Sequence, residues 1–188
     1  MTTRLISIGA VSSLVTLAWQ VVPFEGFPDR GLRVETYPTT FISSIELDLT
    51  NPPRVRLTWA GPEAAKQPKG PFRASPGRGW GTNDCNDVIE SNCLNSRCTP
   101  KGFRTVEGLR EHLKDHPECR YSTVIDSDRG ISFHSHIDVP DYPSSAGCIR
   151  MTPYAAQLIY DNCCVGVTEV VVDGEWALPE VVSASEAT

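Results

Sequence analysis

The stretch FHSHIDVPDYPSSAGCIRM at residues 133–151 concentrates residue types that carry out chemistry. Cys148 follows Gly147, and His134 lies upstream at the end of a predicted strand. A thiolate is the reactive form of cysteine, and a nearby histidine can accept the thiol proton. Gly147 has no side chain, so backbone N–H groups near Cys148 can approach a developing oxyanion. The residues alone leave two interpretations open: a catalytic Cys–His pair, or a structural cysteine on a tight turn near a hydrogen-bonded histidine.

A metal site is a competing interpretation of the same stretch. His134 and His136 are two residues apart and share one face of a strand, and Asp138 and Asp141 could add ligands. Zinc needs three or four convergent ligands, and the two prolines of this segment do not by themselves make the side chains converge. We therefore assign no metal ligand and expect no cofactor.

The chain has seven cysteines and no C-x-x-C pair, so it lacks the usual spacing of zinc ribbons and thioredoxin-like proteins. In an exported chain most thiols oxidise, and an odd count leaves one of them unpaired. We expect Cys148 to be that one. Cys163 and Cys164 are adjacent, so we expect them to pair with different partners. The sequence does not choose the pairs among the remaining six, which are Cys85, Cys93, Cys98, Cys119, Cys163 and Cys164.

The N-terminus resembles a secretory signal. Arg4 precedes an apolar run at residues 5–19, which is short for a membrane span, and small residues precede a possible cleavage site after Ala18. We expect residues 1–18 to be a signal peptide or an uncleaved N-terminal anchor. A buried strand or helix of the domain is the alternative.

Composition and charge describe a globular chain of 188 residues, which suggests one main domain. Hydrophobic residues make up 40% and charged residues 21%, enough for a packed core. The net charge of −6 argues against nucleic-acid binding, which needs an excess of Lys and Arg.

The pattern of apolar residues predicts a mainly β domain with two short helices. Thr105 can cap a helix over residues 105–115, with apolar residues at helical spacing. Thr152 and Pro153 begin a second helix through Asn162. Residues 82–100 carry three cysteines and suggest a disulfide-stapled loop. Strands are predicted at residues 41–49, 54–59, 121–125, 131–135 and 167–172.

Residues 145–151, Ser-Ala-Gly-Cys-Ile-Arg-Met, resemble the active-site motif of the L,D-transpeptidases, Ser/Thr-His-Gly-Cys-apolar-Asn/Arg. Residues 133–135, Phe-His-Ser, resemble the upstream segment that supplies the base in that family. Residues 98–103, Cys-Thr-Pro-Lys-Gly-Phe, are similar to its Thr-Pro-x-Gly-x-Phe segment, one residue short. The similarity covers residues 41–173 in the same order. It implies an L,D-transpeptidase-like β-sandwich at residues 41–175, followed by a flexible tail at residues 180–188.

The resemblance implies an acyl transfer on peptidoglycan stem peptides, which serve as donor and acceptor. Cys148 is then the nucleophile and His134 the base, with His136 as the alternative base. Ser135 orients the His134 ring, and Gly147 contributes to the oxyanion site. No stable protein partner is implied, and the expected location is the periplasm or cell wall.

Three further residues are expected near the substrate or the oxyanion. Ser145 belongs to the motif itself. Arg150 holds the motif turn or binds a substrate carboxylate, and Tyr121 lines the cleft or belongs to the core. The chain departs from the family pattern at Ala146, where the motif has histidine, and in the short spacer that follows His134.

Two other functions remain open from the sequence. The same site could use water as acceptor, which would make the protein an L,D-carboxypeptidase. Alternatively, Ala146 and the Cys-rich insertion at residues 82–98 suggest a catalytically weak, disulfide-rich wall-binding module.

Overall fold

A computed structural model describes residues 38–176, and the predicted leader and tail lie outside this range. The described chain contains nine strands, two α-helices and one 3-10 turn at Ala64–Lys66. The helices are α1 (Val88–Asn92) and α2 (Pro153–Asn162). The strands are β1 (Phe41–Asp48), β2 (Arg54–Ala60), β3 (Phe72–Ser75), β4 (Gly102–Thr105), β5 (Gly108–Leu113), β6 (His116–Asp126), β7 (Ile131–Ser135), β8 (Ile149–Met151) and β9 (Glu169–Asp173).

The strands form one mixed sheet in the order β4-β9-β1-β2-β3-β8-β7-β6-β5. The pairs β1–β9 and β7–β8 are parallel, and the other neighbours are antiparallel. The short strand β3 joins the two halves of the sheet, because it pairs with β2 on one side and with β8 on the other. The curled, mainly β architecture with two helices confirms the predicted fold class.

The hydrophobic core draws on both halves of the sheet and on α2. Along β2, Val55, Leu57 and Trp59 are buried and alternate with residues that face outward, as a half-buried strand requires. Phe133 from the other half of the sheet and Ile159 of α2 belong to the same cluster and are fully buried. The strands that carry the candidate site are therefore anchored on their inner face by core packing.

The helix predicted at residues 105–115 is wrong, because this segment is the end of β4 followed by β5. Val106 is fully buried, whereas Leu109 is exposed, so the helical spacing does not mark one buried face. The N–H of Val106 donates to the carbonyl oxygen of Thr168 at 3.0 Å, and β5 pairs antiparallel with the long strand β6. Pairing with distant segments overrides the local pattern here.

The predicted helix at residues 153–162 is confirmed. Thr152 is its N-cap, its hydroxyl accepts a hydrogen bond from the N–H of Ala155 at 3.4 Å, and Pro153 occupies the first turn. The proline fits there because the first helical N–H groups have no partner within the helix.

A disulfide joins Cys85 and Cys98 and closes the segment that contains α1. The predicted stapling of residues 82–100 is therefore confirmed. The N-cap of α1 is Asp87, whose side chain accepts a hydrogen bond from the N–H of Glu90. A helix of five residues needs such support, because isolated short helices are marginal in water.

The expectation that Cys148 is the single unpaired cysteine is wrong. Three of the unpaired thiols are buried side chains that pack as small apolar groups, and Cys163 belongs to the hydrophobic core. Burial raises the pKa of the Cys163 thiol to about 12, which keeps it in the unreactive protonated form. The free cysteines among the described residues are Cys93, Cys119, Cys148, Cys163 and Cys164.

Among residues 38–176, no helix has the length and hydropathy needed to cross a membrane.

Candidate active site

The parallel pairing of β7 with β8 brings the predicted site residues to one face of the sheet. His134 pairs with Arg150 across this ladder, and Ile149 pairs with Phe133. Side chains two residues apart on a strand share a face, so Ser132 and His134 face the same way as Arg150. Phe133 faces the opposite way, into the core. The prediction that His134 and Phe133 occupy opposite faces is met by this arrangement.

The turn before β8 depends on Gly147, which has a φ of +123°. A side chain is disfavoured here by this conformation, and a Cβ atom would also lie 2.5 Å from Cδ1 of Ile131, whose side chain would have to shift. Ser145 stabilises the turn: its hydroxyl donates to the carbonyl oxygen of Cys148 and accepts the N–H of Gly147 at 3.1 Å. Ala146 is exposed at the tip of this turn. Ser145 thus holds the motif backbone.

A second segment packs directly behind the turn. The hydroxyl of Thr99 donates to the carbonyl oxygen of Gly147 at 2.8 Å and accepts the N–H of Gly77 at 2.8 Å. Gly77 and Gly147 approach so closely that a Cβ on Gly77 would lie 2.6 Å from Cα of Gly147. The Thr-Pro segment that follows Cys98 is therefore a structural support of the turn that carries Cys148.

The thiol of Cys148 is partly buried and has two polar neighbours. Sγ donates to the carbonyl oxygen of Gly130 at 3.4 Å, and Sγ lies 4.0 Å from Oγ of Ser132. Burial raises the pKa of the Cys148 thiol, while hydrogen bonds from Ser132 and the charge of Arg150 act in the opposite direction. Cys148 is therefore a protonated thiol at neutral pH and needs a base.

The ring of His134 is buried and is oriented by a neighbouring carbonyl group. Nδ1 lies 2.9 Å from the carbonyl oxygen of Ser135, so a proton on Nδ1 is held there and Nε2 is left as the basic nitrogen. Ser135 is itself fixed, because its hydroxyl accepts the N–H of Arg120 at 2.9 Å.

The protonation state of His134 suits a base. Burial lowers its pKa, and the charges of His136 and Arg150 lower it further, while the bond to Ser135 opposes this. The imidazole is thus neutral at pH 7. Within the part of the chain that the structure describes, no hydrogen bond joins the His134 ring to Cys148, as is common in catalytic pairs without substrate.

His136 directly follows the last ladder pair of β7: its N–H donates to the carbonyl oxygen of Met151 at 2.9 Å, and its ring contacts the loop that follows. Its Nδ1 lies 2.7 Å from the carbonyl oxygen and 3.0 Å from the backbone nitrogen of Asp138, and its ring centroid lies 6.3 Å from that of His134. Residues 38–176 contain no group of three or more His, Cys, Asp or Glu side chains arranged to hold a metal ion.

Arg150 is tied to the loop that precedes the motif. Its guanidinium donates to the hydroxyl of Ser144 at 3.1 Å, and that hydroxyl lies 2.8 Å from the hydroxyl of Ser75. Ser75 in turn donates to the carbonyl oxygen of Tyr142 at 2.6 Å. These contacts favour the interpretation that Arg150 holds the turn.

The same loop is fastened by Asp141, whose carboxylate receives one hydrogen bond from Arg54 and one from Arg73, each at 2.8 Å. The two cations lower the pKa of Asp141. Asp141, one of the residues considered as a metal ligand, is therefore engaged in ion pairs with β2 and β3.

Tyr121 packs toward α2. Its ring centroid lies 5.9 Å from that of Tyr160, and its side chain contacts the hydrophobic core. Its φ of +58° is unusual for a residue other than glycine. The contact with Tyr160 favours the core interpretation of Tyr121.

A cavity of about 350 Å³ adjoins the supporting side of the turn. Gly77 and Thr99 contribute to its wall, together with Arg78 and Asp84, whereas Cys148 and His134 do not. The cavity is therefore lined by residues that support the turn and not by the candidate catalytic pair.

Ser132 and Arg129 are residues of the site region that sequence analysis missed. Ser132 could have been found from its spacing, because it lies two residues before His134 on the same strand. The guanidinium of Arg129 is 4% exposed and donates to the carbonyl oxygens of Ser91 and Cys98, each within 2.9 Å. Nothing in the local sequence indicates these contacts, since they join the turn before Gly130 to a segment more than thirty residues upstream.

The comparison with models of protein families shows to which family the chain belongs. A family model described as the L,D-transpeptidase catalytic domain (YkuD) matches residues 48–172, which is more than half of the chain. The chain therefore belongs to the L,D-transpeptidase catalytic domain family. The comparison with curated proteins finds no match.

Solved structures of L,D-transpeptidases are similar to this chain at low sequence identity. An L,D-transpeptidase (Yku) from Stackebrandtia nassauensis has a TM-score of 0.51 and 16% identity, over 73% of this chain and 57% of that chain. An L,D-transpeptidase from Mycobacterium tuberculosis H37Rv has a TM-score of 0.48 and 22% identity, over 69% of this chain and 57% of that chain. An L,D-transpeptidase from Xylanimonas cellulosilytica has a TM-score of 0.45 and 18% identity, over 70% of this chain and 61% of that chain. The chain thus spans less than two thirds of each of these structures.

Proposed function

We propose that the protein is an L,D-transpeptidase that acts on peptidoglycan stem peptides through a thioester on Cys148. The observation that carries this proposal is the placement of His134 and Cys148 on one face of the β7–β8 region, with His134 Nδ1 bound to Ser135. A neutral, oriented imidazole beside a protonated thiol is the arrangement that general-base activation of a cysteine requires.

In the first half-reaction, Sγ of Cys148 attacks the amide carbonyl between the L-centre of the donor diamino acid and the terminal D-alanine. Nε2 of His134 accepts the thiol proton and then passes it to the departing amine of D-alanine. The carbonyl of Ser135 stabilises the imidazolium that exists between these transfers. The result is a thioester between the donor stem and Cys148.

In the second half-reaction, the amine of a second stem attacks the thioester carbonyl. His134 accepts a proton from this amine, the C–S bond breaks, and the thiol of Cys148 is restored. The product is a cross-link between two stems. A water molecule in place of the amine would give the L,D-carboxypeptidase reaction.

The oxyanion of both steps would be stabilised by the backbone at Gly147 and Cys148. The carbonyl oxygen of Gly147 is bound by Thr99. In a trans peptide the following N–H points the opposite way, so the N–H of Cys148 is directed away from Thr99. A fixed N–H beside the nucleophile is the kind of donor that an oxyanion site needs.

We infer that the protein works outside the cytoplasm, in the periplasm or cell wall. The disulfide between Cys85 and Cys98 supports this location, because such bonds persist in oxidising compartments. The peptidoglycan substrate of the family is consistent with it.

The function is tested with a synthetic tetrapeptide donor, with and without an amine acceptor, and with the products weighed by mass spectrometry. A cross-linked product that forms only with the acceptor supports transpeptidation. A tripeptide product that forms regardless of the acceptor would reassign the protein as a carboxypeptidase. Cys148→Ala should abolish both products while leaving the circular dichroism spectrum unchanged.

Intact-mass measurement after incubation with a carbapenem gives an independent check. A working nucleophile should form a stable adduct that maps to Cys148 and is absent from Cys148→Ala. Cys93→Ala is the matched control, because Cys93 is exposed and lies at the end of α1. Absence of any adduct and of any turnover would favour the wall-binding alternative.

A further inference from the structure

Ser132 has a buried hydroxyl that the mechanism above does not use. Its side chain is 1% exposed, and Oγ lies 4.0 Å from Sγ of Cys148. Among residues 38–176, Sγ is the one hydrogen-bond partner recorded for this hydroxyl. A buried hydroxyl without a strong partner costs free energy, so its retention beside a reactive sulfur calls for an explanation.

The hydrogen bonds of Cys148 must change when the thiol loses its proton. In the thiol form Sγ is a donor, and it donates to the carbonyl oxygen of Gly130 at 3.4 Å. A thiolate has no proton to donate, and the same carbonyl dipole then repels it. The ionised sulfur therefore needs donors in place of the acceptor it has lost.

Ser132 is placed to supply such a donor. Ser132 lies on the same face as His134, two residues away on β7, so its hydroxyl and the proposed base belong to one face of one strand. A rotation about the Ser132 Cα–Cβ bond moves Oγ without moving the backbone. The hydrogen bonds from the Ser132 N–H and hydroxyl already oppose the effect of burial on the pKa of Cys148.

We propose that Ser132 is a further catalytic residue, whose hydroxyl donates a hydrogen bond to Sγ of Cys148 when the thiol is ionised. This proposal rests on the role of Cys148 as nucleophile. The proton leaves Sγ for Nε2 of His134, and the hydroxyl of Ser132 keeps its own proton throughout. The hydroxyl lowers the free energy of the attacking thiolate and again that of the thiolate released from the thioester.

The test is the pH dependence of alkylation of Cys148 by iodoacetamide, followed by peptide mass spectrometry on the native chain. This measurement needs no peptidoglycan substrate, so it can fail while the proposed function stands. Ser132→Ala should raise the midpoint pH of Cys148 alkylation by about one unit. The reason is that a hydrogen bond to a charged group stabilises it by about as much free energy as one pKa unit represents. Cys93 is measured in the same sample as an exposed reference thiol and should not move.

Two variants distinguish the effect of losing the hydroxyl from the effect of altered packing. Ser132→Thr keeps the hydroxyl and should keep the wild-type midpoint. Ser122→Ala is the matched control: Ser122 is also fully buried, and within the described chain its hydroxyl has no hydrogen-bond partner. Its removal should leave the midpoint unchanged. If Ser132→Ala does not fold, Ser132→Val serves as the second hydroxyl-free variant, because valine suits a strand and matches threonine in shape.

An unchanged midpoint in a folded, hydroxyl-free variant would overturn the proposal. An equal upward shift in Ser122→Ala would also overturn it, since the shift would then come from altered packing. A second expected result is a loss of about tenfold in the rate of carbapenem acylation at neutral pH in Ser132→Ala, restored in Ser132→Thr.

Discussion

Thr99 donates a hydrogen bond from its hydroxyl to the carbonyl oxygen of Gly147 at 2.8 Å, and the same hydroxyl accepts the N–H of Gly77. All three residues are buried. One side chain thus fixes the peptide plane between Gly147 and Cys148. The direction of the Cys148 N–H follows from that plane, because the carbonyl and the N–H of a trans peptide point opposite ways.

Thr99→Val should lower both activity and stability. Valine has nearly the same shape but leaves the carbonyl of Gly147 and the N–H of Gly77 without their partner, which costs ~1–3 kcal/mol in stability. Removing an oxyanion donor reduces kcat by about two to three orders of magnitude, and because Thr99→Val loosens the Cys148 N–H without removing it, we expect a smaller loss of roughly tenfold. Steady-state kinetics and urea unfolding measure the two effects.

Thr99→Ser is the control for this substitution, since it keeps the hydroxyl. It should retain most of the activity. A Thr99→Val variant with wild-type kcat and reduced stability would limit Thr99 to a structural role.

Arg129 connects the turn before Gly130 to the disulfide-closed segment, and its removal should destabilise the fold. Arg129→Met leaves the carbonyl oxygen of Cys98 without the guanidinium donor, removes one of the two donors to the carbonyl oxygen of Ser91, and takes from Asp126 its cationic neighbour at 3.9 Å. Breaking such a buried ionic network costs about 3–5 kcal/mol. Arg120→Met is the control, because Arg120 is half exposed and its pair with Glu111 is at the surface, where such pairs contribute up to about 1 kcal/mol. Equal losses for the two variants in urea unfolding would contradict the role given to Arg129.

The thiol content of the native chain is a direct check on the single disulfide. Alkylation under denaturing conditions without reductant should label five cysteines and leave Cys85 and Cys98 unlabelled. Under native conditions Cys93 should react first, because it is exposed, while the buried Cys163 stays protected. Labelling of Cys148 alone in the denatured chain would instead show three disulfides.

The local parts of the fold could be predicted from the sequence, and the parts set by distant pairing could not. The helix after Thr152 carries its own start signals, a capping hydroxyl and a proline in the first turn. Residues 105–115 carry apolar spacing that fits a helix equally well. Their strand conformation comes from bonds to Thr168 and to β6, which no local pattern encodes.

The candidate site divides in the same way. Cys148, Gly147 and His134 are visible in the sequence because they fall within one short stretch with motif spacing. The prediction that only Cys148 is unpaired was wrong, because an odd number of cysteines and an assumption of export give no information on burial. Cys163, for example, is free and packs in the core. Arg129 was missed because its partners lie on a separate segment of the chain.

The pH dependence of kcat/KM should follow the fraction of His134 that is in its neutral form. Burial lowers the pKa of His134 from its ordinary value of 6.5, so the neutral base persists to lower pH than an exposed histidine would. Activity should therefore be constant near neutrality and fall as the pH drops below 6.5, with an acid midpoint below that value. His136→Gln should move the midpoint upward, because the charge of His136 is one of the causes that lower the pKa of His134. An acid midpoint at or above 6.5 in the wild type would contradict this assignment.

The choice of base between His134 and His136 gives the last prediction. His134 lies within β7, pairs with Arg150 across the ladder, and has its ring held by Ser135. His136 follows the strand, and its Nδ1 contacts both the carbonyl oxygen of Asp138 at 2.7 Å and the backbone nitrogen of Asp138 at 3.0 Å.

A base must be held within hydrogen-bond reach of the sulfur, and the rigid strand meets this requirement better than the loop. His134→Ala should therefore lose about two or more orders of magnitude in kcat/KM, the typical size of general-base catalysis, and His136→Ala should lose less. Carbapenem acylation rates followed by intact mass provide the measurement, with circular dichroism as the check on folding. If His136→Ala proves the more impaired of the two folded variants, the base lies two residues further along and Ser135 no longer orients it.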